Sequence, residues 1–205
     1  PRSTQGVSSA ASDVYKRQGK YKFMIKNWDK VSSKFLIENK IFKLREDRVI
    51  SPKKKSEHPV WVIDTPNWVN IIPITKKNEV ILINQHRFGT EKLCLEIPGG
   101  MVDEGEKPID AAIRELSEET GYTSSKVIEI GRVEPNPALM SNHTYSYLAL
   151  DVCQTEEQKL DGMEDIEILK KPIDEIPLLI EKGEIEHALV ICAFYFYNQY
   201  LSKGH

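Results

Sequence analysis

The chain has 205 residues, 40% of them hydrophobic and 29% charged, with 11 glycines, 11 prolines and a formal net charge of −3. That is the composition of an ordinary globular domain long enough to bury a core. The mildly acidic balance argues against a general affinity for nucleic acid or an anionic membrane surface, and no apolar run reaches the ~18 residues needed to span a bilayer.

Residues 1–18 show no periodicity. Ser8–Gln18 is Ser/Ala-rich and then polar. Reverse translation of Asp13–Gln18 as GAT GTG TAT AAG AGA CAG gives a string resembling the mosaic-end tag of sequencing libraries. This stretch is therefore expected to be a non-native disordered tail, a natural disordered tail being the alternative. Residues 19–62 form an expected N-terminal β-region. Lys34–Ile50 mixes β-branched and charged residues and predicts one or two half-exposed strands, Ser51–Pro59 is a polar turn, and Val60–Asp64 is a strand. Residues 63–205 form the expected main domain.

Within the main domain, Trp68–Ile74 and Val80–Phe88 predict strands joined by a turn at Lys76–Glu79, and Leu93–Pro98 is a short strand ending at the pair Gly99–Gly100. A helix follows over Ile109–Thr120, with Pro108 in its first turn and Gly121 as its stop. Val127–Pro135, Thr144–Cys153 and Glu164–Lys171 predict strands. Ile173–Gly183 predicts a short helix despite Pro177, and Ile185–Ser202 a closing helix. The pattern is an α+β fold with a mixed sheet and few helices, in α/β/α layers. Cys94, Cys153 and Cys192 are odd in number, far apart and each in an apolar run, so they are expected to be reduced core thiols of a cytoplasmic protein. The N-terminus lacks the apolar centre of a signal peptide.

The helix over Ile109–Thr120 is the most informative segment. At ~100° per residue, Ile109, Ala112, Ile113 and Leu116 gather on one side, and Glu115, Glu118 and Glu119 on the other. Stacked like charges on adjacent turns repel. A hard divalent cation relieves that repulsion, because Mg²⁺ prefers oxygen ligands; a solvated acidic face is the plainer alternative. Arg114 stands four residues before Glu118 and can hold its carboxylate. Glu106 lies near the helix start, where it can prop the loop or the arginine.

Gly100, Glu106, Arg114, Glu115, Leu116, Glu118, Glu119 and Gly121 fit G-x5-E-x7-R-E-U-x-E-E-x-G-U, where U is a bulky apolar residue. Tyr122 occupies the last position, where Ile, Leu or Val is commoner. The segment resembles the Nudix box, and the chain resembles the Nudix hydrolases from about Asp64 to His187. The resemblance implies an α/β/α sandwich with a mixed sheet and a small N-terminal antiparallel sheet. It implies Glu115 and Glu119 as metal ligands, Glu118 as ligand or close partner, the Gly99 carbonyl as a further ligand, and Mg²⁺, replaceable by Mn²⁺, as cofactor. The acidic loop Leu160–Ile168 supplies the expected base or additional ligand, Glu164, with Asp165 and Glu167 beside it; Glu118 and Arg114 complete the expected catalytic set.

The run "LINQHRF … LEIPGG" and a proline fifteen residues past Tyr122, Pro137, resemble the ADP-ribose and nucleotide-sugar pyrophosphatase branch. The implied reaction is cleavage of a nucleoside diphosphate sugar into a nucleoside monophosphate and a sugar phosphate. On this reading Arg87 holds phosphate or ribose, Glu96 lies near the metal, and Pro137 shapes the sugar pocket. Trp61, Trp68 and His58 offer aromatic planes for a nucleobase. The strands of Lys34–Val62 resemble the appended sheet through which this branch forms homodimers. The alternatives are a Nudix pyrophosphatase acting on NADH or coenzyme A, and a nucleotide-sugar sensor that binds without cutting.

Overall fold

The structure is a computed structural model that describes residues 25–204; the adapter-like segment 1–18 lies outside them. Strands β1 (Asp29–Glu38), β2 (Lys43–Ile50) and β3 (Glu57–Asp64) form a small antiparallel sheet in the order β1-β2-β3. The first strand begins before Lys34, where the sequence reading starts it. The polar turn is shorter than expected, because His58 and Pro59 belong to β3. A proline is tolerated there because β3 is an edge strand, where a missing N–H need break no ladder bond. Among the described residues, 25–34 with Glu46–Val60 make one compact unit, and Phe35–Arg45 with 61–204 make the other.

The second unit holds a seven-stranded mixed sheet. Strands β4 (Trp68–Ile74) and β5 (Glu79–Arg87) are joined by a tight turn in which Asn78 takes a φ of 58°, a conformation asparagine tolerates better than most residues. Their register closes at Ile74↔Val80, and beyond it they diverge. Strand β6 (Lys92–Glu96) pairs with β5 from Ile83 to Arg87, and strand β7 (Gly99–Met101) pairs with β4 from Trp68 to Asn70. The Ile71 N–H reaches the Pro98 carbonyl at 2.9 Å. The glycine pair is thus a strand, inserted where the sheet opens, and not the end of one.

After helix α1 (Pro108–Thr120), the two-residue strand β8 (Tyr122–Thr123) precedes β9 (Lys126–Val133), β10 (Thr144–Leu150), β11 (Cys153–Gln154) and β12 (Ile166–Pro172). The main order is β12-β5-β4-β10-β9, with β4 and β10 parallel. Helices α2 (Ile176–Glu181) and α3 (Ala188–Ser202) close the chain. Pro177 fits in the first turn of α2, where its missing N–H has no intrahelical partner to lose.

Alternation along β4 sorts the core. Val69 and Ile71 join Tyr147, Ala112 and Leu116 beneath α1, while Ile72 and Ile74 join Leu148, Val190 and Phe194 beneath α2 and α3. Each such side chain contributes ~1.5–3 kcal/mol on full burial. Tyr122 is buried at 4% exposure, so the unusual aromatic at the end of the motif packs as core. The thiols do not: all three are free, Cys153 is exposed, and Cys94 and Cys192 are half-buried. An apolar run in a short strand or half-buried helix turns alternate residues outward, which is where these fall. No helix among the described residues is long and apolar enough to cross a membrane.

Candidate active site

Helix α1 starts at Pro108 and stops at Gly121, whose φ of 70° lets its N–H close on the Ser117 carbonyl. Ile109, Ala111, Ala112 and Leu116 pack on the sheet, whereas Ile113, expected on the same stripe, is 39% exposed, and the buried face carries Glu115 and Glu119 inward, to 9% and 3% exposure. Arg114 organises the acidic side. Its Nε and Nη2 donate to the two oxygens of Glu106, both at 3.0 Å. Nη1 donates to Glu115 at 2.9 Å and Glu118 at 3.0 Å, and Nη2 also donates to the Met101 carbonyl at 3.1 Å. All the guanidinium N–H groups are therefore used within the protein. Arg114 thus holds Glu106, Glu115 and Glu118 in place. Glu106 also accepts the Asp103 N–H at 3.1 Å, so it ties the loop to the arginine.

Glu119 accepts the Gly99 N–H at 2.9 Å. Burial pushes its carboxyl well above the ordinary range, and the charges of Glu115 and Glu164 add to that against the opposing Gly99 N–H and Arg87. Burial likewise lifts Glu115 to about 7, against the pull of Arg114 and with Glu118 and Glu164 pushing the same way. Glu164 itself is exposed, on the loop before β12, where it accepts the Asp161 N–H at 2.9 Å. The fold thus brings Glu115, Glu118, Glu119 and Glu164 into one electrostatic neighbourhood. Among the described residues, however, no three acidic, histidine or cysteine side chains converge as a ready metal cage, because Arg114 draws Glu115 and Glu118 to itself and Gly99 holds Glu119. The donor chemistry fits a hard divalent cation: buried carboxylate oxygens with too little positive charge. Gly100 fits it too, because a Cβ there would occupy the place of the Glu115 carboxylate.

On the other side of the inserted strands, Arg87 donates from Nε and Nη2 to the two oxygens of Glu96, each at 2.8 Å. Glu96 is 3% exposed, so it is no surface residue. His187 Nδ1 lies 3.1 Å from the same carboxylate. Burial alone would raise the Glu96 carboxyl, but the two hydrogen bonds from Arg87, with the His187 ring close by, outweigh it and hold it at about 2. A carboxyl depressed in the fold contributes stability that is complete above its unfolded value of about 4.5 and lost as pH falls toward 2. That contribution is on the order of 3 kcal/mol. Urea unfolding at pH 7, 4 and 3 should therefore show a steeper acid loss for the wild type than for Glu96→Gln; equal slopes would contradict the pairing.

Arg87, Glu96 and His187 line a cavity of about 650 Å³ that also reaches Trp68, Pro135 and Asn142. Of the expected binding residues, Arg87 and Glu96 line this cavity, and Trp61 and Pro137 do not. Trp68, half-buried, lines the cavity, whereas Trp61 is 50% exposed on β3 and outside its lining. Pro135 lines it, whereas Pro137 is exposed further along the loop between β9 and β10. Arg87 lines it with two of its three nitrogens committed to Glu96. His187, Asn142 and Thr144 escaped the sequence reading. The one available signal was a histidine just ahead of a helix, where Ser, Thr, Asp or Asn is usual.

An acidic helix packed on one face of a mixed sheet, two helices on the other and a ligand-sized cavity in the same unit make an α/β/α architecture. The NUDIX domain matches residues 65–194, and the chain belongs to that family as a Nudix hydrolase. It is 28% identical to the ADP-ribose pyrophosphatase of Bacillus subtilis (strain 168) over 77% of this chain and 85% of that one. It is 26% identical to the methanol dehydrogenase activator of Bacillus methanolicus over 80% and 88%. The crystal structure of an ADP compounds hydrolase shares the fold, with a TM-score of 0.78 at 21% identity, covering 87% of this chain and 96% of that chain.

Proposed function

We propose that this chain hydrolyses the pyrophosphate bond of a nucleoside diphosphate sugar, ADP-ribose or a relative of it, to a nucleoside monophosphate and a sugar phosphate. One observation carries the reading: the buried, under-compensated Glu119, clustered with Glu115, lies within electrostatic reach of Arg87, which lines the cavity together with Trp68. Similarity to an ADP-ribose pyrophosphatase supports it. Glu115, Glu119 and the Gly99 carbonyl would hold Mg²⁺, or Mn²⁺ in its place, with Glu118 alongside. When bound, the cation neutralises diphosphate charge and acidifies water. Glu164 is solvent-facing and close enough to be felt by both buried glutamates, which suits it to accept the proton of the attacking water. Glu96 holds the Arg87 guanidinium flat and charged at the cavity wall, ready for a phosphate oxygen. Trp68 offers an aromatic wall. The three free thiols suit a reducing compartment such as the cytoplasm.

The test is a panel of ADP-ribose, ADP-glucose, GDP-mannose, UDP-glucose, NADH and coenzyme A with Mg²⁺ and with EDTA, products being identified. Monophosphate plus sugar phosphate from a nucleotide sugar, abolished by EDTA, is expected. Turnover undiminished in EDTA, or confined to coenzyme A or NADH, would overturn the reading.

The enzyme is also proposed to be a homodimer. Strand β1 is exposed along its whole length, with Val31, Phe35, Leu36 and Ile37 among the exposed apolar side chains. Long apolar edge strands left open invite pairing. Sedimentation should give twice the mass of 23.5 kDa, and the double change Phe35→Glu, Ile37→Glu should halve it. A wild-type monomer at micromolar concentration would contradict the proposal.

A further inference from the structure

We propose that His187 is a ligand-contacting residue of the cavity, its ring fixed by Glu96 so that the opposite edge takes a hydroxyl of the bound nucleotide sugar. The inference rests on the proposed substrate class and adds a residue and a contact to it.

His187 occupies the position just ahead of α3, with extended backbone angles of −66° and 116°, yet makes no side-chain cap to the helix. The ring is therefore turned elsewhere. It is turned to Glu96, 3.1 Å away from Nδ1. Nδ1 is buried and makes no aligned hydrogen bond among the described residues, the Glu96 carboxylate at 3.1 Å being its close polar neighbour, while the side chain as a whole is 35% exposed and lines the cavity. The open edge is therefore the one carrying Nε2. Glu96 already has both oxygens on Arg87, so its charge is matched without the histidine. What the contact supplies is orientation: a carboxylate beside Nδ1 keeps that edge of the ring inward and leaves Nε2 toward the cavity.

Two further groups on the same cavity point to the same chemistry. Asn142 Nδ2 donates to the Pro66 carbonyl at 3.1 Å, which fixes the amide so that Oδ1 is the remaining group. That Oδ1, and Thr144 Oγ1, are buried without a partner among the described residues. Unpaired buried acceptors are unfavourable and are met by a ligand or water. A cavity offering Asn142 Oδ1, Thr144 Oγ1 and the His187 ring edge suits a ligand rich in hydroxyls, which both donate and accept, and the proposed substrate carries them on its sugars. The sugar can be the terminal one or the ribose of the nucleoside.

Calorimetry in EDTA with ADP-ribose, ribose 5-phosphate and AMP, on wild type, His187→Ala and His187→Gln, tests this without relying on turnover. His187→Ala should weaken ADP-ribose by about 10-fold, the worth of one hydrogen bond. His187→Gln, which keeps an acceptor, should recover part of that, with melting temperatures unchanged. Matching loss for ribose 5-phosphate but not AMP places the contact on the terminal sugar; the reverse places it on the nucleoside. Unchanged affinity in His187→Ala overturns the proposal, as does equal weakening of all three ligands together with a lowered melting temperature and no recovery in His187→Gln. Wild type that binds none of the three also overturns it. If wild type binds ADP-ribose but does not cleave it with Mg²⁺, the proposed reaction falls and the His187 contact stands.

Discussion

Replacing Glu119 with glutamine is expected to lower the maximal rate by on the order of 100-fold or more while the protein stays as stable as before, or becomes more so. The two halves have one cause. Glu119 is 3% exposed and sits among the charges of Glu115 and Glu164, so its ionised form is unfavourable in the free protein. Glutamine keeps an amide oxygen for the Gly99 N–H and removes the charge, so nothing holding the fold is lost. The charge is what a cation would need. Loss of activity with retained or raised stability is the mark of a residue kept for function. It is read from turnover with Mg²⁺ and from urea unfolding of the same preparations. A variant that keeps full activity, or one that merely unfolds, would contradict the role.

Alanine at the two adjacent glycines should separate fold from function. A Cβ on Gly99 would meet the Val69 carbonyl oxygen, which is backbone in a paired strand and cannot yield. Overpacking of this kind costs ~1–3 kcal/mol, and Gly99→Ala is expected to lose stability on that scale. A Cβ on Gly100 would meet the Glu115 carboxylate instead. That is the end of a side chain, able to swing aside, so Gly100→Ala is expected to keep most of its stability and lose about 10-fold or more in rate as the glutamate leaves its place. Equal effects of the two substitutions on melting temperature and rate would show that the glycine pair only relieves crowding.

The sequence made α1 legible because its signals are local: a proline start, a glycine stop, an apolar stripe and carboxylates at helical spacing. The i, i+4 contact from Arg114 to Glu118 followed from that spacing. The remaining bonds of Arg114, to Glu106 and the Met101 carbonyl, depend on the loop folding back over the helix, which spacing along one helix cannot show. Strand β7 was hidden because Gly-Gly-Met has no strand preference; it exists because β4 and β5 diverge and leave β4 with an edge to fill. Trp61 and Trp68 both read as strand aromatics, and only the tertiary arrangement says that Trp68 meets the cavity. Pro135 and Pro137 lie two apart in one loop, too close for spacing to choose between them. The Glu96 pairing joins β5, β6 and the start of α3, three segments whose meeting no local pattern announces.

The central claim, hydrolysis between the two phosphates of a nucleotide sugar, is tested most directly by running ADP-ribose with Mg²⁺ in ¹⁸O-labelled water and weighing the products. The account predicts AMP and ribose 5-phosphate, with one labelled oxygen in one of the two phosphates. Release of ADP with unphosphorylated ribose, the label residing on the sugar, would contradict it.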